Sequence, residues 1–270
     1  MHSPAATSSP RLLTRRDQQP DWTIPPQADT VGFVRAKCSM LDGTSFNAGV
    51  ILIPFGQTTP VHWNTGEHVI YQLDGDVEFE IRGERYPLAP RDMLFIPARA
   101  PYAYTNTGRE TASFISIISA LDSWPPKATY DDEPDNPSRR ETMATTEQPW
   151  ILKSREQQPV WTLPKADQVG FIRGRCNSME GTGFSAGLVL MPFGQTTPLH
   201  SSNSEHIIYL LEGEVEFTIE GEPYPLLPGD MLFIPADAKY VYTNVGRSLA
   251  TFISILGKVD AWPHEGTYYD

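Results

Sequence analysis

Apolar and polar residues alternate along short segments of this chain. Val77 to Ile81, with the sequence Val-Glu-Phe-Glu-Ile, places every second side chain on one face, and Val215 to Ile219 repeats the pattern. A turn containing glycine follows each segment, at Gly83 and at Gly221. No stretch has the spacing of an amphipathic helix. Short strands punctuated by Gly and Pro predict an all-β fold of the sandwich or barrel type.

The chain contains two copies of one domain. Residues 28–124 align with residues 166–262 at a constant offset of 138 without a gap, so that the heptapeptide 54–60 recurs at 192–198. A period of this length indicates duplicated domains and not a solenoid of short units. We expect four segments: a flexible N-terminal tail over 1–17, a first domain over 18–125, a linker and lead-in over 126–156, and a second domain over 157–270.

Charge and composition narrow the possible partners. The 33 acidic residues outnumber the 21 Lys and Arg residues, and the net charge of −12 repels nucleic acid and anionic membrane surfaces. No apolar run approaches the roughly 20 residues that cross a bilayer. Cys38 and Cys176 occupy equivalent places in the two copies. They are expected to be core thiols in a reducing compartment, with a disulfide between them as the open alternative, and the sequence predicts a cytoplasmic protein.

Two motifs in each copy resemble those of the cupin family. The first family motif runs Gly, His, His, Glu, Gly, and its places are taken by Gly56, His62, Asn64, His68 and Gly75, and in the second copy by Gly194, His200, Ser202, His206 and Gly213. The second family motif runs Gly, Pro, Gly, His, Asn, and its places are taken by Arg91, Pro97, Arg99, Tyr102 and Asn106, and then by Gly229, Pro235, Asp237, Tyr240 and Asn244. The resemblance implies two tandem cupin barrels, which are double-stranded β-helix jelly rolls, in a pseudo-two-fold arrangement.

The histidines coincide with these motifs, since four of the six lie at motif positions. The resemblance implies a metal site in each copy, formed by His62, His68 and Tyr102 and by His200, His206 and Tyr240. Typical metal cupins use three His and one Glu, so this donor set departs from the family. Two imidazoles and a phenol could hold a divalent transition metal such as Fe, Mn, Ni or Zn. The alternatives are a purely structural role for the His pairs and a pocket-lining role for the tyrosines.

Further polar and aromatic residues are expected near each site. Tyr102, Tyr240 and Asn64 are the candidate catalytic residues. A phenol can assist proton transfer, whereas Asn64, like Ser202, could hydrogen-bond a substrate, bind a metal-bound water or mark a lost ligand. The candidate pocket residues face the same side of the predicted strands or flank the motif: Trp63, Gln72, Tyr104, Ser202 and Tyr242. Asn106 and Asn244 are expected to be turn residues.

These features predict a metal-dependent enzyme that acts on a small oxygenated metabolite. Lewis-acid polarisation with His or Tyr assisting proton transfer would give elimination, isomerisation or cyclisation. The segment around His68 is also similar to the ureidoglycine aminohydrolases, and a resemblance to quercetin-dioxygenase-like bicupins implies a dioxygenase if Fe or Ni is bound. The alternatives are a non-catalytic small-molecule-binding bicupin and a metal-free acid–base enzyme. A homodimer is possible.

Overall fold

The computed structural model describes eleven ranges of the chain: residues 9–13, 20–23, 34–36, 46–64, 66–119, 129–130, 148–152, 159–161, 172–174, 184–257 and 267–269. Within these ranges the secondary structure consists of strands, without a helix. The described residues accordingly contain no helix that is long and apolar enough to span a membrane. Cys38 and Cys176, for which we predicted a core position, lie outside the described residues.

The first twelve strands lie in the first half of the chain. They are β1 Arg11–Leu13, β2 Pro20–Thr23, β3 Val34–Ala36, β4 Phe46–Ile53, β5 His62–Trp63, β6 His68–Asp74, β7 Val77–Ile81, β8 Glu84–Leu88, β9 Met93–Ile96, β10 Tyr102–Asn106, β11 Ala112–Ser119 and β12 Thr129–Tyr130.

The remaining strands repeat this order in the second half of the chain. They are β13 Trp150–Leu152, β14 Pro159–Trp161, β15 Ile172–Gly174, β16 Phe184–Met191, β17 His200–Ser201, β18 His206–Glu212, β19 Val215–Ile219, β20 Glu222–Leu226, β21 Met231–Ile234, β22 Tyr240–Asn244, β23 Ala250–Gly257 and β24 Thr267–Tyr268.

The chain divides into two compact units, each with one larger and one smaller antiparallel sheet. One unit contains β2 to β13, with a seven-stranded sheet in the order β13-β9-β6-β11-β4-β3-β2 and a five-stranded sheet in the order β12-β5-β10-β7-β8. The other contains β1 and β14 to β24, in the orders β1-β21-β18-β23-β16-β15-β14 and β20-β19-β22-β17-β24. The predicted all-β fold of two repeated domains is confirmed.

Apolar side chains from both sheets form the interior of each unit. In the first, Ile51, Ile70, Phe79, Tyr104 and Phe114 belong to one buried cluster, which is why the strands alternate between apolar and polar residues. The equivalent cluster of the second unit contains Val189, Ile208, Phe217, Tyr242 and Phe252. The side chains of the two sheets therefore pack against each other inside each unit. Any polar side chain among them needs a hydrogen-bond partner.

A glycine closes the strand that carries the second motif histidine. Gly75 follows β6 with a φ of 74°, and a Cβ placed there would lie 2.8 Å from Cβ of Ala112. Both the positive φ and the close approach require glycine, which explains why this motif position is glycine in both copies.

Two short strands extend the larger sheets. Arg11–Leu13 pairs with β21 of the second repeat, and Trp150–Leu152 pairs with β9 of the first repeat. Part of the segment predicted as a flexible tail, and part of the predicted linker, are thus strands. Each covers a sheet edge that would otherwise present unpaired backbone groups to solvent.

Candidate functional site

The hydroxyl group of Tyr102 links two buried side chains in the first domain. It accepts a hydrogen bond from Nδ2 of Asn64 at 2.7 Å and lies 3.0 Å from Nδ1 of His68. Nε2 of His68 lies 2.7 Å from Oγ of Ser116. All four side chains are buried, so these hydrogen bonds lie in a low-dielectric interior where they are strong and costly to break. We call the chain Asn64–Tyr102–His68–Ser116 the first polar network.

His62 lies against the ring of Tyr102. The two ring centroids are 4.3 Å apart, and Nδ1 of His62 is 2.8 Å from the carbonyl oxygen of Pro60. A backbone carbonyl only accepts, so Nδ1 of His62 donates, and the neutral ring carries its lone pair on Nε2. The structure therefore brings together His62, His68, Asn64 and Tyr102, as the motif spacing predicted.

The second domain repeats most of this geometry. His206 Nδ1 is 3.0 Å from the hydroxyl oxygen of Tyr240, and its Nε2 is 2.7 Å from Oγ of Ser254. His200 lies 4.3 Å from Tyr240 between ring centroids, with Nδ1 2.8 Å from the Pro198 carbonyl oxygen. The chain Tyr240–His206–Ser254 is the second polar network.

Strand pairing places these side chains. His62 is the direct cross-strand partner of Tyr102, and His68 is paired with Ile118, so Ser116 is its diagonal neighbour on the same face. The loop before β10 contributes through its backbone, since the N–H of Arg99 donates to the carbonyl oxygen of Asn64 at 2.7 Å. Arg99 takes a φ of 60° there, at a position where the family motif has glycine.

The other candidate residues have several environments. Tyr104 and Tyr242 are buried and stack beside Tyr102 and Tyr240, with ring centroids 6.4 Å apart in both domains. Trp63 is half-buried on β5. Oγ of Ser202 accepts a hydrogen bond from the backbone N–H of Ser204.

Gln72 is placed at the far end of β6. It lies four residues from His68, about 13 Å at the rise of a strand. Its amide donates to the carbonyl oxygens of Asp74 and Gly75, at 2.8 and 3.0 Å. Gln72 therefore holds the turn after β6, and the second domain has Leu210 at this position.

Asn106 also has the turn role expected of it, because it donates to the carbonyl oxygen of Glu110 and accepts from the N–H of Gly108.

Sequence reasoning missed Ser116 and Ser254. Both are buried and both bond the second motif histidine of their domain. A signal was present, because each is the single polar residue in a Phe-Ile-Ser-Ile segment. A hydroxyl inside such a strand requires a partner in the interior.

The donor set can be tested against a divalent metal. A metal-binding imidazole must direct a nitrogen lone pair at the ion, whereas both ring nitrogens of His68 are hydrogen-bonded to hydroxyl groups. The described ranges also contain no group of three or more His, Cys, Asp or Glu side chains that could hold a metal. The hydrogen-bonded arrangement therefore does not fit a metal ion at His68 and Tyr102. Metal binding by the two His and Tyr sets stays a prediction.

A comparison with protein families decides the classification. The family described as "Cupin domain" matches residues 49–118 and 187–256, just over half of the chain. The chain belongs to the cupin family. The two matched segments are the two copies of the repeat, so the protein is a two-domain cupin, and each match contains both motifs with their polar network.

Individual relatives of this cupin share one domain or the fold. An 80-residue segment of the chain is 32% identical to the dimethylsulfoniopropionate lyase DddQ of Ruegeria pomeroyi. The segment is 29% of this chain and corresponds to 40% of DddQ. The crystal structure of the glyoxylate-induced protein of Pseudomonas aeruginosa is similar at a TM-score of 0.71 and 16% identity, covering 96% of this chain and 92% of that one.

A third similar protein is the salicylate 1,2-dioxygenase of Pseudaminobacter salicylatoxidans, with a TM-score of 0.71, 12% identity, and coverage of 94% of this chain and 86% of that one. At these identities the structural similarities establish the fold alone. The matched sequence spans about half the length of the curated relatives. Cupins similar to this chain thus include proteins named as enzymes.

Proposed function

We propose that this cupin is an acid–base enzyme that moves a proton on a small carboxylate or related oxygenated metabolite, with the first polar network as its site. The observation that carries the proposal is the hydrogen-bonded chain from Asn64 through Tyr102 and His68 to Ser116. The name of one relative, a dimethylsulfoniopropionate lyase, supports a carboxylate as the class of substrate.

The network can accept a proton in one concerted step. A proton leaves the substrate for the oxygen of Tyr102, while the original phenol proton passes to Nδ1 of His68. His68 becomes an imidazolium whose Nε2–H donates to Ser116, and its positive charge balances the substrate anion. Run in reverse, the step delivers a proton to the substrate. Elimination and isomerisation both need such a transfer.

Each member of the network has a defined part in this step. Asn64 donates to the phenol oxygen, and this bond stabilises negative charge on that oxygen during the transfer. Ser116 fixes the ring of His68 through Nε2. His62 and Asn64 are only 4% and 5% exposed, so little water reaches the network.

The proposal is tested by proton exchange and turnover. The purified protein is incubated in D₂O with a panel of small carboxylates that includes dimethylsulfoniopropionate, and NMR follows deuterium entry and product formation. Tyr102→Phe removes only the hydroxyl, and we expect the rate to fall by roughly 10²–10⁴-fold. The matched control Tyr104→Phe removes a hydroxyl from the neighbouring stacked ring and should change the rate by less than about tenfold.

Three outcomes contradict the proposal: full activity in Tyr102→Phe, an equal loss in Tyr104→Phe, and wild-type protein that exchanges no proton on any member of the panel. Thermal unfolding of each variant separates loss of the site from loss of the fold. Tyr240→Phe reports separately on the second domain.

A metal-dependent enzyme is the second candidate: the two hydrogen bonds of His68 oppose it, and the convergence of His62 and His68 on Tyr102 favours it. Elemental analysis distinguishes the two. Activity that survives chelation supports the acid–base proposal. A near-stoichiometric transition metal that is lost in His62→Ala, together with activity abolished by a chelator and restored by that metal, would replace it.

A further inference from the structure

The second domain has a group of turns at the end opposite its polar network. β18 runs from His206 at the network to Glu212, and β22 runs from Tyr240 to Asn244, so the turns that follow these strands lie at the far end. Hydrogen bonds join these turns, because the N–H groups of Val245 and Gly246 both donate to the carbonyl oxygen of Glu214. The turns therefore form one surface.

Large apolar side chains are exposed on this surface. Leu227 is 58% exposed, Val245 51% and Leu249 48%. Phe193, at 62%, lies in the adjoining turn, where the N–H of Gly194 donates to the carbonyl oxygen of Asn244. We call these four side chains the distal patch. Scattered single apolar residues are ordinary on a surface, whereas a contiguous group indicates an interaction site.

The first domain provides an internal comparison. At the same places of the repeat it has Ala89, Thr107 and Thr111 in the positions of the two leucines and the valine, and it retains only the phenylalanine. Its turns have the same backbone hydrogen bonds, such as that from the N–H of Thr107 to the carbonyl oxygen of Asp76. The fold therefore does not require apolar residues here, and the distal patch is a property added to the second domain.

Opposite charges border the patch. Arg247 and Glu214 are both exposed beside Val245. Within the described part of the chain neither has a salt-bridge partner. A second copy of this surface offers a Glu214 to Arg247 and an Arg247 to Glu214. Such a surface is complementary to itself in both charge and apolar character.

We propose that the distal patch is the interface of a homodimer, in which a second copy of this chain packs its own distal patch against it. A two-fold contact closes the assembly at two copies, since the first domain has Ala89, Thr107 and Thr111 at the equivalent described positions and offers no such patch there. The patch is small, so the dimer forms at micromolar and not nanomolar concentrations.

The test replaces the patch residues with those that the first domain has at the equivalent positions, because the same fold already tolerates them. Leu227→Ala, Val245→Thr and Leu249→Thr together give the second domain the residues of the first. Sedimentation velocity of the wild-type chain over roughly 1–100 µM should show a mass that rises towards twice the chain mass of 30.2 kDa. The triple variant should remain at the chain mass over this range, with dimerisation weakened at least about tenfold.

Charge variants provide the second measurement. Arg247→Glu and Glu214→Arg should each weaken the dimer, and the double variant should restore it, because the pair is exchanged and not lost. The reciprocal variant Ala89→Leu, Thr107→Val and Thr111→Leu creates a second patch and should give assemblies larger than dimers. A wild-type chain that stays at 30.2 kDa, or a folded triple variant that dimerises like the wild type, overturns the proposal.

Discussion

The hydroxyl group of Tyr102 determines whether three buried side chains, those of Asn64, Tyr102 and His68, have their hydrogen-bond partners. A hydroxyl has one proton to give and two lone pairs to accept with, and Asn64 already donates to it at 2.7 Å. The neighbouring His68 is bonded through both ring nitrogens. Removing any one hydroxyl leaves a buried polar atom without its partner, which costs roughly 1–3 kcal/mol. The network is thus stable only as a whole.

Arg99 stores backbone strain next to this network. Its φ is 60°, a conformation that costs a residue with a Cβ roughly 1–2 kcal/mol. Glycine at this position avoids that cost, but its greater conformational freedom in the unfolded chain offsets part of the gain in stability. We expect Arg99→Gly to raise the free energy of unfolding by about 0.5–1 kcal/mol, measured by urea denaturation.

The second domain supplies the control. Asp237 has a φ of 63° at the equivalent position, and Asp tolerates this conformation better than Arg does. Asp237→Gly should therefore gain less stability than Arg99→Gly. Strain at Arg99 is disproved if Arg99→Gly unfolds at a lower urea concentration than the wild type.

Part of the site could be predicted at the scale of residues. The resemblance to the cupin motifs predicted that His62, His68 and Tyr102 lie together, although they belong to three different strands, β5, β6 and β10. The role of Ser116 could not be read from spacing, since its strand is distant in sequence and its partner depends on the register of β11 against β6. Gln72 was expected at the same pocket, but the turn after β6 uses its amide.

At the scale of elements, β1 and β13 complete the larger sheets from outside the matched family segments. Leu12 of β1 packs against the apolar cluster of the second repeat, and Ile151 of β13 packs against that of the first. The sequence predicted the central strands from their alternation. It did not predict these two, because three residues carry too little periodicity to identify a strand or its partner.

These contacts predict which unit each strand stabilises. Leu12→Ala should destabilise the unit of the second repeat by about 1–2 kcal/mol and leave the first unchanged, because Leu12 is only half-buried and loses less than a core leucine would. Ile151→Ala should destabilise the unit of the first repeat and leave that of the second unchanged. Hydrogen exchange followed by mass spectrometry resolves the two units through peptides from β21 and β9.

Faster exchange in β9 after Leu12→Ala would contradict this assignment, as would exchange that increases equally in both units. The two variants serve as controls for each other, since both truncate a half-buried aliphatic side chain on a three-residue strand.

At the scale of the whole molecule, duplication has kept one network and changed its surroundings. His, Tyr and Ser recur in both domains with distances that agree within 0.1 Å for the two hydrogen bonds of the second motif histidine. Asn64 and Gln72 become Ser202 and Leu210, and the distal patch exists in the second domain alone. The two domains therefore share the His, Tyr and Ser members of the network and differ in the residues around it.

The proton positions in the two networks test the central claim most directly. The long-range ¹H–¹⁵N spectrum of histidine-labelled protein at about pH 8, with His68→Gln and His206→Gln for assignment, reports which ring nitrogen carries the proton. We predict that His68 and His206 carry it on Nε2 and accept at Nδ1 from their tyrosines, while His62 and His200 carry it on Nδ1. A proton on Nδ1 of His68 would contradict the proposed direction of transfer.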